Sequence, residues 1–486
     1  MKNILVYLPT GLNYPEVEIL LSKTQIELDK KNKVFIVLCK GGKNYACSKN
    51  IYSSNFICAT CNFKKERYLQ KLKGNYKIIL LPSKINNTIN KKFSRTQIQN
   101  FFYKKKIDTG LAAYGSYIGL SRDKNLTGFF SRSSINRLLN TSNQLFDFFY
   151  QKIILLKIDK VIMYNARLNQ YRPLLRAAQK HKISVDNMEF KGHRNRIFNF
   201  GNNLATDMNN FTNMVNKRWK EGKNDKKKNK IIKDYYEHIR NGAHVIQKSF
   251  NKHQNLLSLP LNWDHKKKNV VIFSTSDDEF ETLGGEYAKI FYKDQFDGIK
   301  KISSSLSKMN NIKIWVKMHP RLKGVKWDFV KNTLDLSKKF ENVEVIGPES
   351  KISSYPMLDK CFVSLAFCSH LTIEANYQGL PSILFGHSNF DKLKVCYAPK
   401  NHNQLIKLIK KKKLPPINNI GSKKFAYFWM TGGQKLKYFS GSLNRGFYFK
   451  KNSIKLTIFY KYIYAIGKIS EKFRNLCNFY LRSNSF

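Results

Sequence analysis

The stretch CFVSLAFCSHLTIEANYQGLPSILFG (361–386) decides the fold. It opens on CFVSLAF (361–367), an apolar run of strand length. Ser369 then offers an N-cap, a helix spans 369–379, and Gly379 stops it. PSILFG (381–386) is a second apolar run. Strand, helix and strand in so short a span fit a crossover unit between two parallel strands.

The same alternation runs upstream. NVVIFST (269–275) is a strand, and an acidic, Gly-containing stretch from Asp277 to Gly285 follows it. A helix over about 290–309 carries Phe291, Phe296, Ile299, Ile302 and Leu306 as its apolar stripe. KIWVKMHP (313–320) and VEVIGP (343–348) are strands, and SSYPMLDK (353–360) is a short helix. The first half has a similar order. NILVYL (3–8), VFIVLC (34–39), KIILLP (77–82) and KVIMYN (160–165) read as buried strands, with a helix through Val17, Leu20, Leu21, Ile26 and Leu28 after the first. A further helix begins near Arg172-Pro173. The basic run KRWKEGKNDKKKNKIIKDY (217–235) reads as a solvated helix face or loop and marks a domain boundary. These elements predict an α/β chain of two Rossmann-like domains, 1–250 and 251–412, followed by a helical tail, 413–486.

Composition bounds the function. The chain has 486 residues, 42% of them hydrophobic and 14% aromatic, enough for two or three cores and too ordered a mixture for a disordered chain. No run reaches the roughly 18 apolar residues that span a bilayer. The N-terminus reads as a first strand without a signal-peptide cleavage site, so a cytoplasmic protein is expected. The net charge is +54. It reflects either a Lys-, Asn- and Ile-rich composition or anionic partners: phosphorylated substrates, a membrane surface or nucleic acid. The cations are scattered rather than gathered in one stripe, and no zinc-finger, RNA-binding or helix-turn-helix pattern occurs, which counts against nucleic acid. Of eight cysteines, Cys39, Cys47, Cys58 and Cys61 cluster near the N-terminus. The C-x2-C pair suits a structural zinc when a second pair faces it, while buried free thiols are the alternative.

Two constellations could carry chemistry. Lys317-Met318-His319-Pro320-Arg321 places two cations and an imidazole at the end of a strand, where they suit a diphosphate or a phosphodiester. Pro320 stiffens the loop. The other is Ser369-His370-Leu371-Thr372-Ile373-Glu374, where a helix N-terminus favours an anion. His370 and Glu374 stand four apart, so both can face a ligand, and the carboxylate could accept from ribose hydroxyls. Gly386 would let the backbone approach a ligand, and Ser353 and Ser354 could cap a helix or bond phosphate. In the first half, Asn165 and Arg167 sit at a strand's C-terminal end, where open parallel sheets bind ligands.

With these residues in view, the chain resembles bacterial surface-polysaccharide (capsule) biosynthesis proteins of the GT-B glycosyltransferase type. The stretches that carry the resemblance are NWDHKKKNVVIFSTSDDEFETLGGEY (262–287), FYKDQFDGIKKI (291–302), WVKMHPRLKG (315–324), VIGPESKISSYPMLDKC (345–361) and FCSHLTIEANYQGLPSILFGHSNFDKL (367–393). Kdo transferases and GT-B sialyltransferases share a similar His-Pro motif. The resemblance implies two domains facing across a cleft and a metal-independent transfer from a nucleotide-sugar, with a CMP-sugar as one candidate. The acceptor would be a polysaccharide or a lipid-linked glycan. It places the donor around Lys317, His319, Ser369 and Glu374, and the acceptor with a general base in the first half, where Asp108 and Glu189 are the candidates. Polyol-phosphate transfer, nucleotide-sugar epimerisation and a silent scaffold fit the same pattern. Thr372 stands where the family has Gly, and Ala166 replaces Gly in Asn-Gly-Arg. The first would crowd a phosphate and the second would restrict a turn. Residues 413–486 hold 14 Lys/Arg and one acidic residue, Glu471, together with many Phe and Tyr. Such a tail suits an anionic membrane surface, packing across the domains, or both.

Overall fold

The computed structural model describes residues 1–12, 15–42, 44–82, 84–190, 195–242, 254, 258–276, 282–325, 328–442 and 446–480. Residues 277–281 of the acidic stretch lie outside them. The strands are β1 (Asn3–Leu8), β2 (Lys33–Leu38), β3 (Tyr76–Leu80), β4 (Lys160–Tyr164), β5 (Ser184–Phe190), β6 (Arg196–Asn199), β7 (Lys268–Phe273), β8 (Ile312–Lys317), β9 (Val343–Ile346), β10 (Val363–Ala366), β11 (Ser382–Leu384), β12 (Gln434–Lys435), β13 (Phe439–Ser442) and β14 (Gly446–Phe449).

The first sheet has the order β12-β6-β5-β4-β1-β2-β3. It is parallel from β5 to β3, while β6 and β12 close one edge antiparallel. The second has the order β11-β10-β7-β8-β9, parallel throughout. In each, the first strand is central, the next two add on one side, and the chain then returns to the other side. This is the doubly wound order of a Rossmann-type sheet, with its switch points between β1 and β4 and between β7 and β10.

Period-two burial on both faces explains the apolar runs of the inner strands, whereas β3, expected to be buried, is an edge strand that leaves Ile78 and Leu80 about half exposed. In the second sheet, Val270, Ile272, Ile314 and Val316 join one core with Ile299, Ile302 and Phe385. The alternate residues Val271, Phe273 and Trp315 join another with Trp263 and Leu358. Trp263 and Trp315 stack with centroids 5.1 Å apart, and Asn269 Oδ1 accepts from Trp315 Nε1 at 2.8 Å. The helix predicted over 290–309 is Gln295–Leu306, started by Asp294, whose side chain accepts the Asp297 N–H. In the first sheet, Leu5, Tyr7, Val37 and Met163 face one core and Ile4, Val6, Ile36 and Ile162 the other.

The chain divides into two compact units at places other than those expected. One is Met1–Ala205 with Glu281–Gly284 and Gly433–Phe486; the other is Thr206–Phe280 with Gly285–Gly432. The helices Met208–Glu221 and Asp225–Arg240, drawn from the basic run, pack on the helix Ile420–Thr431 of the second unit. Phe211 against Phe428, centroids 5.5 Å apart, is one of the contacts that moves the boundary from 250 to 205. Residues 413–486 are likewise not one tail. Their first part belongs to the second unit, and β12 adds to the first sheet beside β6. The hairpin β13–β14 lays Phe439, Phe447 and Phe449 on the first unit's core.

Candidate functional site

At the end of β8 the chain must leave the sheet without stranding its polar groups. Met318 N–H donates to Ile346 O at 2.9 Å, and Ser274, just past β7, donates its N–H to Lys317 O at 3.0 Å. The Ser274 hydroxyl then accepts His319 N–H at 3.0 Å. His319 Nδ1 accepts Arg321 N–H at 3.1 Å, which opens the turn Pro320–Leu322. A ring nitrogen that accepts carries no proton, so the neutral imidazole holds its hydrogen on Nε2. That arrangement presents a donor on the far side of the ring. Arg321 is exposed and His319 half-buried.

Lys317 differs from both. The register pairs it with Phe273 on one side and Ile346 on the other, so it falls on the apolar face that carries Trp315. It is 2% exposed. Among the described residues its Nζ has no hydrogen-bond partner. Burial lowers its pKa from 10.5 to about 8. A buried ammonium without a counter-charge is costly, and an oxyanion placed over it would remove that cost.

The second constellation is dispersed by the structure. The helix begins at Leu371 rather than at Ser369, and the Ser369 hydroxyl accepts Leu371 N–H at 3.3 Å. Ser353 is fully buried and accepts Tyr355 N–H at 3.3 Å, while Ser354 begins the helix Ser354–Lys360. Both capping hydroxyls therefore serve their own chain. His370 and Glu374, four residues apart, find different partners. The His370 ring lies among Phe390, Phe425 and Trp429, with centroids 5.4 to 6.0 Å away. Glu374 turns inward, where Tyr355 OH donates to Oε2 at 2.9 Å. Arg240 lies over the Tyr355 ring at 5.0 Å and pairs with Asp359. Glu374 thus has a protein partner where ribose hydroxyls were expected. Burial raises its pKa from 4.5 to about 7, against the Tyr355 hydrogen bond and the Arg240 charge.

At three positions the chain itself accounts for the residue present. Gly386 is needed by the chain itself, because a Cβ there would stand 2.3 Å from Phe367 O. Thr372 does not crowd a phosphate position: it is buried, and its hydroxyl donates to Ser369 O at 2.9 Å. Ala166 does not carry the unusual turn, since Asn165 takes φ +29 and leaves Ala166 free to pack in the core. Asn tolerates that region better than most residues.

In the first unit, Asn165 Nδ2 donates to Glu189 Oε1 at 3.1 Å, joining the ends of β4 and β5. Arg167 N–H donates back to Asn165 O at 2.6 Å, and Arg167 Nε has no partner among the described residues. Asp108 is not poised as a base. Arg176 holds it through Nε to Oδ1 at 2.8 Å and Nη2 to Oδ2 at 2.7 Å, and the fully buried Arg172 also pairs with it. Burial pushes its pKa up, yet the two guanidinium groups win and hold the carboxyl well below the usual range. Arg172 also donates from Nε to Ala166 O at 2.8 Å. Asp108 therefore braces the loop that displays Asn165 and Arg167.

The four cysteines do gather, around a cavity of about 20 Å³ past the ends of β1 and β2. Gly41 N–H donates to Cys39 Sγ at 3.2 Å, Asn50 Nδ2 to Cys58 Sγ at 3.2 Å, and Gly11 N–H to Cys61 Sγ at 3.1 Å. Burial pushes the Cys58 thiol up to about 11 and raises Cys39 and Cys47 as well. Zinc needs thiolates, and no group of three or more His, Cys, Asp or Glu among the described residues could hold a metal ion.

No family model matches the sequence, and no curated protein matches it. Among solved structures the chain is similar to the KpsC beta Kdo 2,4 transferase of Thermosulfurimonas dismutans, at 13% identity, 57% of this chain, 85% of that chain and a TM-score of 0.38. It is also similar to the UDP-GlcNAc 2-epimerase of Neisseria meningitidis bound to UDP-GlcNAc, at 13% identity, 87% of this chain, 98% of that chain and a TM-score of 0.28. Likenesses of this size decide neither reaction nor substrate. The fold assignment rests on the two strand orders.

Sequence reasoning missed Ser274, Tyr355 and Arg240. Ser274 carried a signal, as a hydroxyl closing a strand beside the switch point. The other two are brought in by packing. The native state releases the Lys317 proton at about 8 and the unfolded chain at 10.5, so below pH 8 the ammonium destabilises the ligand-free protein, and the penalty fades towards pH 10.5. Lys317→Met should therefore raise Tm at pH 7, by roughly 2–8 °C for about 1–3 kcal/mol; a lower Tm in thermal melts would contradict this. Glu374 is protonated more readily in the native state, from 4.5 to about 7, so its ionisation costs stability as pH rises through that window. Glu374→Gln should be more stable than wild type above pH 7, by about 1–3 kcal/mol. The two denaturant midpoints should converge below pH 4.5.

Proposed function

We propose that the second unit binds the phosphate of a nucleotide-sugar at the end of β8, and that the protein transfers the sugar to a surface polysaccharide or lipid-linked glycan. The observation that carries this reading is Lys317, buried at the strand end that leads into the His319-Pro320-Arg321 turn, whose Nζ has no hydrogen-bond partner among the described residues. An oxyanion there would meet the ammonium, with His319 and Arg321 next along the chain at the same strand end. The position adjoins the switch point of a doubly wound sheet, the place such sheets bind ligands.

In the reaction, the acceptor hydroxyl oxygen attacks the anomeric carbon and the carbon–oxygen bond to phosphate breaks. The electron pair leaves on the phosphate oxygen, where Lys317 and His319 stabilise it. The hydroxyl proton passes to a base. Asp108 is held by two arginines, so of the two expected bases Glu189, whose Oε1 accepts from Asn165 Nδ2, is the one we propose. Arg167 would then meet the acceptor.

Thermal melts with CMP, CDP, UDP and GDP test the binding. One nucleotide at about a hundredfold excess over its Kd should raise Tm by roughly 5–10 °C, and His319→Ala should weaken that Kd about tenfold or more. A well-folded protein that none of them stabilises would remove the donor site. Proton NMR of the matching nucleotide-sugar, with glycan acceptor, separates the chemistry: acceptor-dependent release of nucleotide supports transfer, whereas an epimerised sugar still bearing its nucleotide would replace it with epimerisation.

A further inference from the structure

The helix Ile458–Tyr480 of the first unit is inside out. An amphipathic helix on a water-soluble body normally buries its apolar stripe and wets its polar one. Here the first turns lay Tyr460 on Phe63, centroids 4.0 Å apart, but from Gly467 onward the inward side is polar or small. Asn475 Oδ1 accepts Tyr52 OH at 2.5 Å, and Asn478 Oδ1 accepts Phe130 N–H at 2.6 Å. Arg474 donates to Tyr52 O at 2.9 Å. Gly467 lets the helix close on Asn55–Leu69, since a Cβ would meet Ile57 Cγ1 at 2.8 Å. Glu471, the helix's acidic residue, is buried and paired with Lys468 at 2.7 Å.

The outward side carries Ile458, Tyr462, Ile466, Ile469, Phe473 and Leu476, each between 49% and 72% exposed. Their spacing of three and four residues makes one straight stripe along the helix. Phe129, exposed beside the Phe130 that anchors Asn478, extends it at one end. Lys461 and Lys472 are exposed along the same side. An apolar surface of this length without a covering partner marks an interaction face.

We propose that this face seats the protein on an anionic lipid bilayer. The helix meets the description of an interfacial one: large apolar side chains outward in a line, cations beside them and no exposed carboxylate among them. No helix among the described residues is long and apolar enough to cross a membrane, so the helix lies on the surface rather than through it. Charge decides between a bilayer and a second copy. Two copies joined through this stripe would bring Lys461 and Lys472 against their own kind on chains of net charge +54, whereas anionic headgroups neutralise them.

Co-sedimentation of the full chain with vesicles tests this independently of nucleotide binding. Vesicles of phosphatidylcholine with about a quarter phosphatidylglycerol should carry the protein down, and phosphatidylcholine alone should do so far less. The double variant Ile466→Ser, Phe473→Ser should need about tenfold more anionic lipid while keeping the wild-type Tm, because both positions are exposed. Ile469→Ser alone serves if the pair lowers Tm. No sedimentation with anionic vesicles would overturn the proposal, as would equal sedimentation of wild type and variants. So would a dimer in sedimentation equilibrium that the serine variants dissolve, which would place a second copy on the stripe.

Discussion

A parallel β-ladder cannot be closed by a tight turn; each strand must be regained through a crossover. Everything distinctive in this chain depends on that constraint, met twice. Because the crossover-linked strands run the same way, their carboxyl ends open at one edge. Because each sheet starts at its centre and grows first one way and then the other, that edge has a switch point. Ser274 meets Lys317 and His319 only through this geometry. The apolar runs that make the sheets stop where those residues begin, so polar chemistry is added at the edge without disturbing either core.

Three features depart from what stability alone would select, and each lies at a surface or site rather than in the general packing. A lysine is buried with no hydrogen-bond partner for its Nζ among the described residues. A glutamate is buried beside a tyrosine with its pKa raised to about 7. A helix turns its apolar side to solvent. Groups held against such costs are candidates for function. The Asp108 cluster is the contrasting case. It also shifts a pKa strongly, yet both carboxylate oxygens are occupied by arginines and the pair braces a loop.

The central strands were legible because a strand buried on both faces leaves a continuous apolar run, and Gly379 marked its helix stop with φ +72. The sequence also showed Lys317 at a strand end, but not its burial, which register with Phe273 and Ile346 imposes. Contacts across long separations stayed hidden. Nothing local to Glu374 announces Tyr355, and nothing near Asp108 announces Arg172 and Arg176. The unit boundary was misplaced for the same reason, since Phe211 finds Phe428 through tertiary packing alone. Thr372 and Ala166 looked like obstacles because neighbouring residues, Ser369 and Asn165, take up the hydroxyl and the turn.

The central claim is that Lys317 is kept as an ammonium for a bound oxyanion. Calorimetry of nucleotide binding at about pH 8.5, in two buffers of different ionisation enthalpy, tests it most directly. The ligand-free lysine has largely lost its proton there, because its pKa is about 8, and an oxyanion would restore it. Binding should therefore take up roughly 0.7 proton in the wild type and none through this group in Lys317→Met. A binding heat that does not change with buffer, or an uptake that survives in Lys317→Met, would contradict the claim.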